Sequence, residues 1–206
     1  MSRSQSLALL EVANLTPALF AVDCCLKAAN VRLQGVESTD GADQCIRLIG
    51  SDAEVRQAGE QGLAAALRMG TEARLTILSA PLDETAAVAD LPPVYSPLLG
   101  LYDHRKPGET GMAQTDAIGL LETQGLVAAL HATDDMLKSS NVTLLGKEKI
   151  GAAYVTIVIS GDVAAVQTAI ATGKQTIERL GGTLIMADTI ARPHAELAAL
   201  LPVMPK

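Results

Sequence analysis

The stretch from Ser6 to Ser51 returns at Ala117 to Asp162, displaced by 111 positions without a gap. Of 46 aligned pairs, 18 are identical, among them Leu9-Leu10-Glu11 with Leu120-Leu121-Glu122. The pairs Asp23/Asp134, Leu26/Leu137, Lys27/Lys138, Asn30/Asn141 and Val31/Val142 continue the match. A fixed-offset repeat of this length means two copies of one domain. The period is too long for a solenoid, so the chain is a tandem duplication. Two units of roughly 90 residues are each large enough for a modest core. The expected division is residues 1–93, a linker at 94–113, and 114–206.

Each copy reads as β-α-β-β-α-β with a short closing helix. In the first, Ser6–Glu11 is an apolar strand. Thr16 and Pro17 suit the cap and first turn of a helix. Leu19, Val22, Leu26 and Ala29 then mark its apolar stripe. Val31–Val36 and Gln44–Ile49 are strands joined by Glu37–Asp43, where Asp40-Gly41 has hairpin chemistry. Ser51 or Asp52 caps a second helix that Gly70 stops. Arg74–Ser79 is a strand, and Pro81–Leu91 closes the copy. In the second copy the strands are Ala117–Thr123, Val142–Lys147, Tyr154–Ser160 and Thr183–Ile190. The helices are Val127–Ser140, Asp162–Leu180 and a closing helix ending at Pro202. The fold class is therefore α+β, two copies of one mainly antiparallel sheet with helices on a face. Residues 94–113 have Pro, Gly and charge without a period, which is linker composition. Two of the three tyrosines, Tyr95 and Tyr102, lie there.

The apolar mass is Ala, Val, Leu and Ile: 49% of the 206 residues are hydrophobic but only 2% aromatic. Such side chains pack tightly and leave little to line a large cavity. They also suit surfaces buried between subunits, which resemble a core cut in half. No apolar run reaches the length of a membrane span. The N-terminus lacks the apolar core and cleavage site of a signal peptide. Three cysteines do not make a disulfide framework. A net charge of −7 gives nucleic acid little to bind to. These features together point to the cytoplasm.

Catalytic apparatus is scarce. Gly146-Lys147 lacks the phosphate-loop context, and neither H-E-x-x-H nor C-x-x-C occurs. His104, His131 and His194 are far apart in sequence. The carboxylates of Glu37, Asp40 and Asp43 do not follow calcium-loop spacing. Lys27 has a local explanation, since a cation near a helix C-terminus suits its dipole.

The second copy resembles the bacterial microcompartment shell domain. The matching residues are AIGLLETQGLVAAL (117–130), the Lys138–Asn141–Val142 helix end, the Lys147–Gly151 loop, Gly161-Asp162, and Ile190-Ala191-Arg192-Pro193-His194. The first copy looks like a diverged member. Together they resemble the tandem-domain shell proteins, in which three chains form a pseudohexameric tile. The resemblance implies a non-enzymatic structural protein with itself, other shell proteins and encapsulated enzymes as partners. It implies a pore for small metabolites lined by Lys149, Ile150, Gly151 and Ala152, and in the first copy by Ser38, Thr39, Asp40 and Gly41. It makes Lys138, Asn141, Arg192 and His194 tile-edge residues, with Lys27 and Asn30 in the same places in the first copy. There Ala80-Pro81 replaces Arg192-Pro193. Some tandem members hold an axial iron–sulfur cluster through a loop Cys. Asp40 stands near that place here, so neither cluster nor metal is expected. Two other readings stay open at this point: a cluster near Cys45 at the three-fold axis, and a small-molecule-sensing α+β trimer.

Overall fold

The computed structural model describes residues 5–38, 41–90, 104–105 (backbone) and 116–201. The chain divides into two compact units, Met1–Thr110 and Gly111–Lys206. The first contains β1 (Ser6–Ala13), α1 (Leu15–Ala28), β2 (Arg32–Ser38), β3 (Asp43–Gly50), α2 (Asp52–Arg68), β4 (Ala73–Leu78), α3 (Asp83–Asp90) and β5 (His104–Arg105). The second contains β6 (Ala117–Gln124), α4 (Leu126–Ser139), β7 (Thr143–Lys149), β8 (Tyr154–Gly161), α5 (Val163–Arg179), β9 (Thr183–Ile190) and α6 (Ala195–Ala198).

The sheets run β4-β1-β3-β2-β5 and β7-β8-β6-β9. Every pairing is antiparallel. Read in opposite senses, the four repeated strands have one order. The register repeats as well: Ser6 faces Gly50 and Ala117 faces Gly161. Each copy carries the same irregularity, between Leu33 and Gly35 and between Leu144 and Gly146. One irregularity is not shared. Opposite Glu122 and Thr123, β9 presents Met186 and Leu184, so Ile185 is an extra residue. Opposite Glu11 and Val12, β4 presents Arg74 and Ala73 without a break. Beyond the bulge the offset between copies is therefore 112.

Two helices pack on one face of each sheet. Leu10, Ile46, Leu48 and Val55 are buried in the first unit, and Leu121, Met136, Ile157 and Ile177 in the second. Each such side chain stabilises by about 1.5–3 kcal/mol when removed from water. The helices approach at glycines. A Cβ on Gly62 would lie 2.3 Å from Cys25 Sγ, and one on Gly173 would lie 2.5 Å from Met136 Sδ.

Four expectations are corrected. The cap position of α1 is Asn14, and Thr16 is buried inside the first turn. Asn14 makes no side-chain capping bond. Its N–H instead donates to Ala42 O, just as Gly125 N–H donates to Ala153 O. These bonds tie each helix start to the tip of the β2–β3 or β7–β8 hairpin. β7 runs two residues further than its polarity suggests, to Lys149, because Lys149 pairs with Val155. Part of the linker is strand: Arg105 and His104 pair with Val36 and Glu37 at the edge of β2. The final helix stops at Ala198, short of Pro202. Tyr95 and Tyr102 lie outside the described residues.

Candidate functional site

Two surfaces collect the residues singled out in the sequence. The first is the hairpin tip. In the second unit Gly151, Ala152 and Ala153 have φ of 91°, 45° and 63°. Left-handed backbone costs an alanine on the order of 1 kcal/mol, and strain of this kind gathers at functional loops. The tip is held by Tyr154 N–H donating to Gly151 O at 2.8 Å and by the Gly125 bond to Ala153. Lys149, Gly151 and Ala152 are exposed. Ile150 is buried, at 3% exposure, as an apolar side chain at a strand end prefers.

The first-unit tip differs in chemistry. Ser38 is buried, and its hydroxyl donates to Gln44 Oε1 at 2.9 Å. Gln44 Nε2 in turn donates to Ala42 O. Gly41, with φ of 118°, is exposed. Thr39 and Asp40 lie outside the described residues. Ser38 and Ile150 are thus enclosed within single chains. Among the described residues of the two tips, Gly41, Lys149, Gly151, Ala152 and Ala153 are exposed.

The second surface is the end of each unit where the first helix stops. Lys27 Nζ donates to Asp23 and Lys138 Nζ to Asp134, both at 2.5 Å. The bond from Lys138 to Asp134 raises the lysine's pKa. Asn30 and Asn141 follow, both exposed. Nearby, the carboxyl of Glu54 is held below its usual range, first by the hydroxyl of Ser51. Ser51 and Glu54 form a capping box at the start of α2. Gln57 Nε2 donates to Ala28 O at 2.9 Å, so α2 reaches the end of α1. Arg192 is exposed after β9. His194 has a structural task, since its Nδ1 accepts from Glu196 N–H and caps α6.

The cysteines behave as packing residues. Burial pushes the Cys25 thiol up to about 12. Burial also raises Cys24 and Cys45. Among the described residues no three His, Cys, Asp or Glu converge on a metal-sized site. No helix described is long and apolar enough to cross a membrane.

The family model for the BMC domain matches residues 6–81 and 117–193. The chain belongs to the BMC-domain family. It carries two copies of the domain, and the matches coincide with the two repeats. Carboxysome shell protein CcmK1 of Thermosynechococcus vestitus is 43% identical over 88 residues, 42% of this chain and 78% of that protein. Carboxysome shell protein CsoS1C of Halothiobacillus neapolitanus is 41% identical over 90 residues, 44% of this chain and 92% of that protein. Each matched length exceeds that of one BMC-domain match and falls well short of two. A crystal structure of a microcompartments protein from Desulfitobacterium hafniense spans 94% of this chain and 97% of its own, at 23% identity and a TM-score of 0.39.

Sequence reasoning missed the most informative feature of these BMC domains. Leu15, Leu19 and Leu26 on α1 are 1%, 3% and 6% exposed. Their identical counterparts Leu126, Leu130 and Leu137 on α4 are 40%, 50% and 38% exposed, and Val127 reaches 85%. Nothing in the leucines themselves marks this, because they are identical in the two copies.

Proposed function

We propose that the protein is a structural tile of a microcompartment shell, in which three chains close head to tail into a six-sided ring around a pore. The uncovered α4 face carries this reading. A contiguous apolar patch of this kind marks an interaction surface. The equivalent face of α1 is buried within one chain, and in this reading another molecule covers α4. When one patch meets a different patch between every pair of chains, the contact is heterologous, and it gives a ring when its rotation closes. Two domains per chain and six sides require three chains. The relatives named as carboxysome shell proteins support membership of a shell.

In such a ring the hairpin tips converge on the axis. Exposed Lys149, the backbone at Gly41, Gly151 and Ala152, and Asp40 would then set what passes. The ends bearing Lys27, Asn30, Lys138, Asn141 and Arg192 would meet neighbouring tiles. The role is structural rather than catalytic, with no cofactor. The partners are the chain itself, other shell proteins and enclosed enzymes, within the cytoplasm.

Light scattering on the purified 21.4 kDa chain tests this. A mass of three chains, or of six if rings stack, is expected. Leu130→Asp should reduce it to one chain with unchanged circular dichroism. A wild-type monomer at high concentration overturns the ring, the pore and the edges together.

A further inference from the structure

The two edges differ in where they keep a guanidinium. Leu7 faces Leu78 across the first sheet and Ile118 faces Ile190 across the second. Leu7 and Ile118 are repeat partners, so Leu78 corresponds to Ile190, Ser79 to Ala191, and Ala80 to Arg192. The first copy therefore has no arginine directly after its last strand. On the neighbouring helix the exchange is reversed. Gln167 and Val163 of α5 correspond to Arg56 and Asp52 of α2, at the gapless offset.

Arg56 is brought to the vacated position. Its Nη2 donates to Ser79 Oγ at 2.9 Å, and Ser79 directly precedes Ala80. Its Nε donates to Asp52 Oδ2 at 2.7 Å. Ser79 Oγ closes the triangle onto Asp52 Oδ1. Ala80 N–H is drawn to Ser6 Oγ at 3.4 Å. None of Asp52, Arg56 and Ser79 has its counterpart in the second copy, where Val163, Gln167 and Ala191 stand. Three coordinated differences hold one guanidinium beside one position. Arg56 remains half exposed, and its Nη1 carries two further N–H donors outside these bonds. The same end of the unit presents Lys27 and Asn30.

We infer that Arg56 is the edge arginine of the first copy. It supplies from α2 the planar cation that Arg192 supplies after β9, and the edge it marks docks on the edge of another tile of this same chain. A planar fork of donors is suited to oxygen acceptors across such a seam in a way that Lys or Gln is not. The inference rests on the tile reading proposed above.

The test is the concentration at which purified protein forms sheets, read by sedimentation and electron microscopy, alongside the mass of the soluble ring. Arg56→Gln copies the second-copy residue and should raise that concentration roughly tenfold, as loss of one charged hydrogen-bond donor does, with ring mass unchanged. Arg192→Ala should do the same. Adding Val163→Asp, Gln167→Arg and Ala191→Ser to Arg192→Ala transplants the first-copy arrangement and should restore assembly. If Arg56→Gln assembles like wild type while Arg192→Ala does not, Arg56 is only a local helix ion pair and the inference is overturned. If the transplant fails to restore assembly in a ring of normal mass, it is overturned too. If wild type forms no sheets, or both single variants assemble normally, the edge reading itself falls.

Discussion

The two BMC domains share an element order, a register and a bulge, yet the same leucines lie buried on α1 and open on α4. Equivalence of sequence is therefore not equivalence of environment. A duplicated domain in one chain has two unlike sets of neighbours, and selection can act on each copy separately. The first copy buries these leucines within the chain, and the second leaves its own exposed.

The largest effect should come from a charge placed on that face. Leu19→Asp buries an unpaired carboxylate at a site 3% exposed and should destabilise the first unit by roughly 4 kcal/mol, seen as loss of its cooperative melt. Leu130→Asp should leave the melt of the second unit nearly unmoved and abolish only the association of chains. Equal destabilisation by both would remove the asymmetry on which the ring is argued.

Helix contact should separate the copies next. Gly62→Ala drives its methyl against Cys25 Sγ, with Ala21 O also only 3.3 Å away. A short side chain beside backbone has no room to retreat, so a loss of about 2 kcal/mol is expected from overpacking. Gly173→Ala meets Met136, whose flexible thioether can swing aside. The gain in helix propensity should then bring that variant to within about 0.5 kcal/mol of wild type. Urea midpoints would show it.

A smaller difference lies at the helix starts. Asn14 has φ 70° and ψ 153°, a conformation that suits glycine, and its counterpart Gly125 has φ 97° and ψ 145°. Asn14→Gly should stabilise by about 1 kcal/mol and Gly125→Ala should destabilise by about as much. No atom lies within 4 Å of a Cβ built on Gly125, so the second change isolates backbone strain from crowding.

The smallest effect is in pH dependence. Asp135 accepts from Thr176 Oγ1 at 2.7 Å and from Arg179 Nη2 at 2.8 Å. The Thr176 bond, then the charges of His131, Arg179 and Lys138, hold its carboxyl below the usual range. A depressed acid stabilises the fold above the unfolded carboxylate value, about 3.9, and that stability is lost as pH falls through the lower folded value. Asp135→Asn should therefore lower the thermal midpoint at pH 6, with a deficit that shrinks towards pH 3. The first copy has Cys24 in this place, so Cys24→Asn should show no such trend.

The repeat, the α+β class, the strand order along the chain and the β2–β3 hairpin were legible in the residues. Each rests on short-range chemistry: apolar period, capping side chains, turn formers, and identity at a fixed offset. The Ser51–Glu54 box was half legible, as a cap without its reciprocal partner. The cap at Asn14 was not, because its contribution is a backbone bond to the hairpin tip rather than a side-chain bond. Among the expected lining residues, Lys149, Gly151 and Ala152 emerged exposed, while burial of Ser38 and Ile150 depends on Gln44 and on packing that no local pattern encodes.

The sequence by itself therefore determined that the chain is one BMC domain written twice, since periodicity and identity travel with the residues. The tertiary structure alone decided which copy of a leucine is covered. It also located the extra residue, Ile185, behind the match of Arg192 with Ala80 that the sequence shows, and it brought Arg56 beside that position. Burial and proximity are properties of neighbours distant in the chain, and two identical residues differ as soon as their neighbours do.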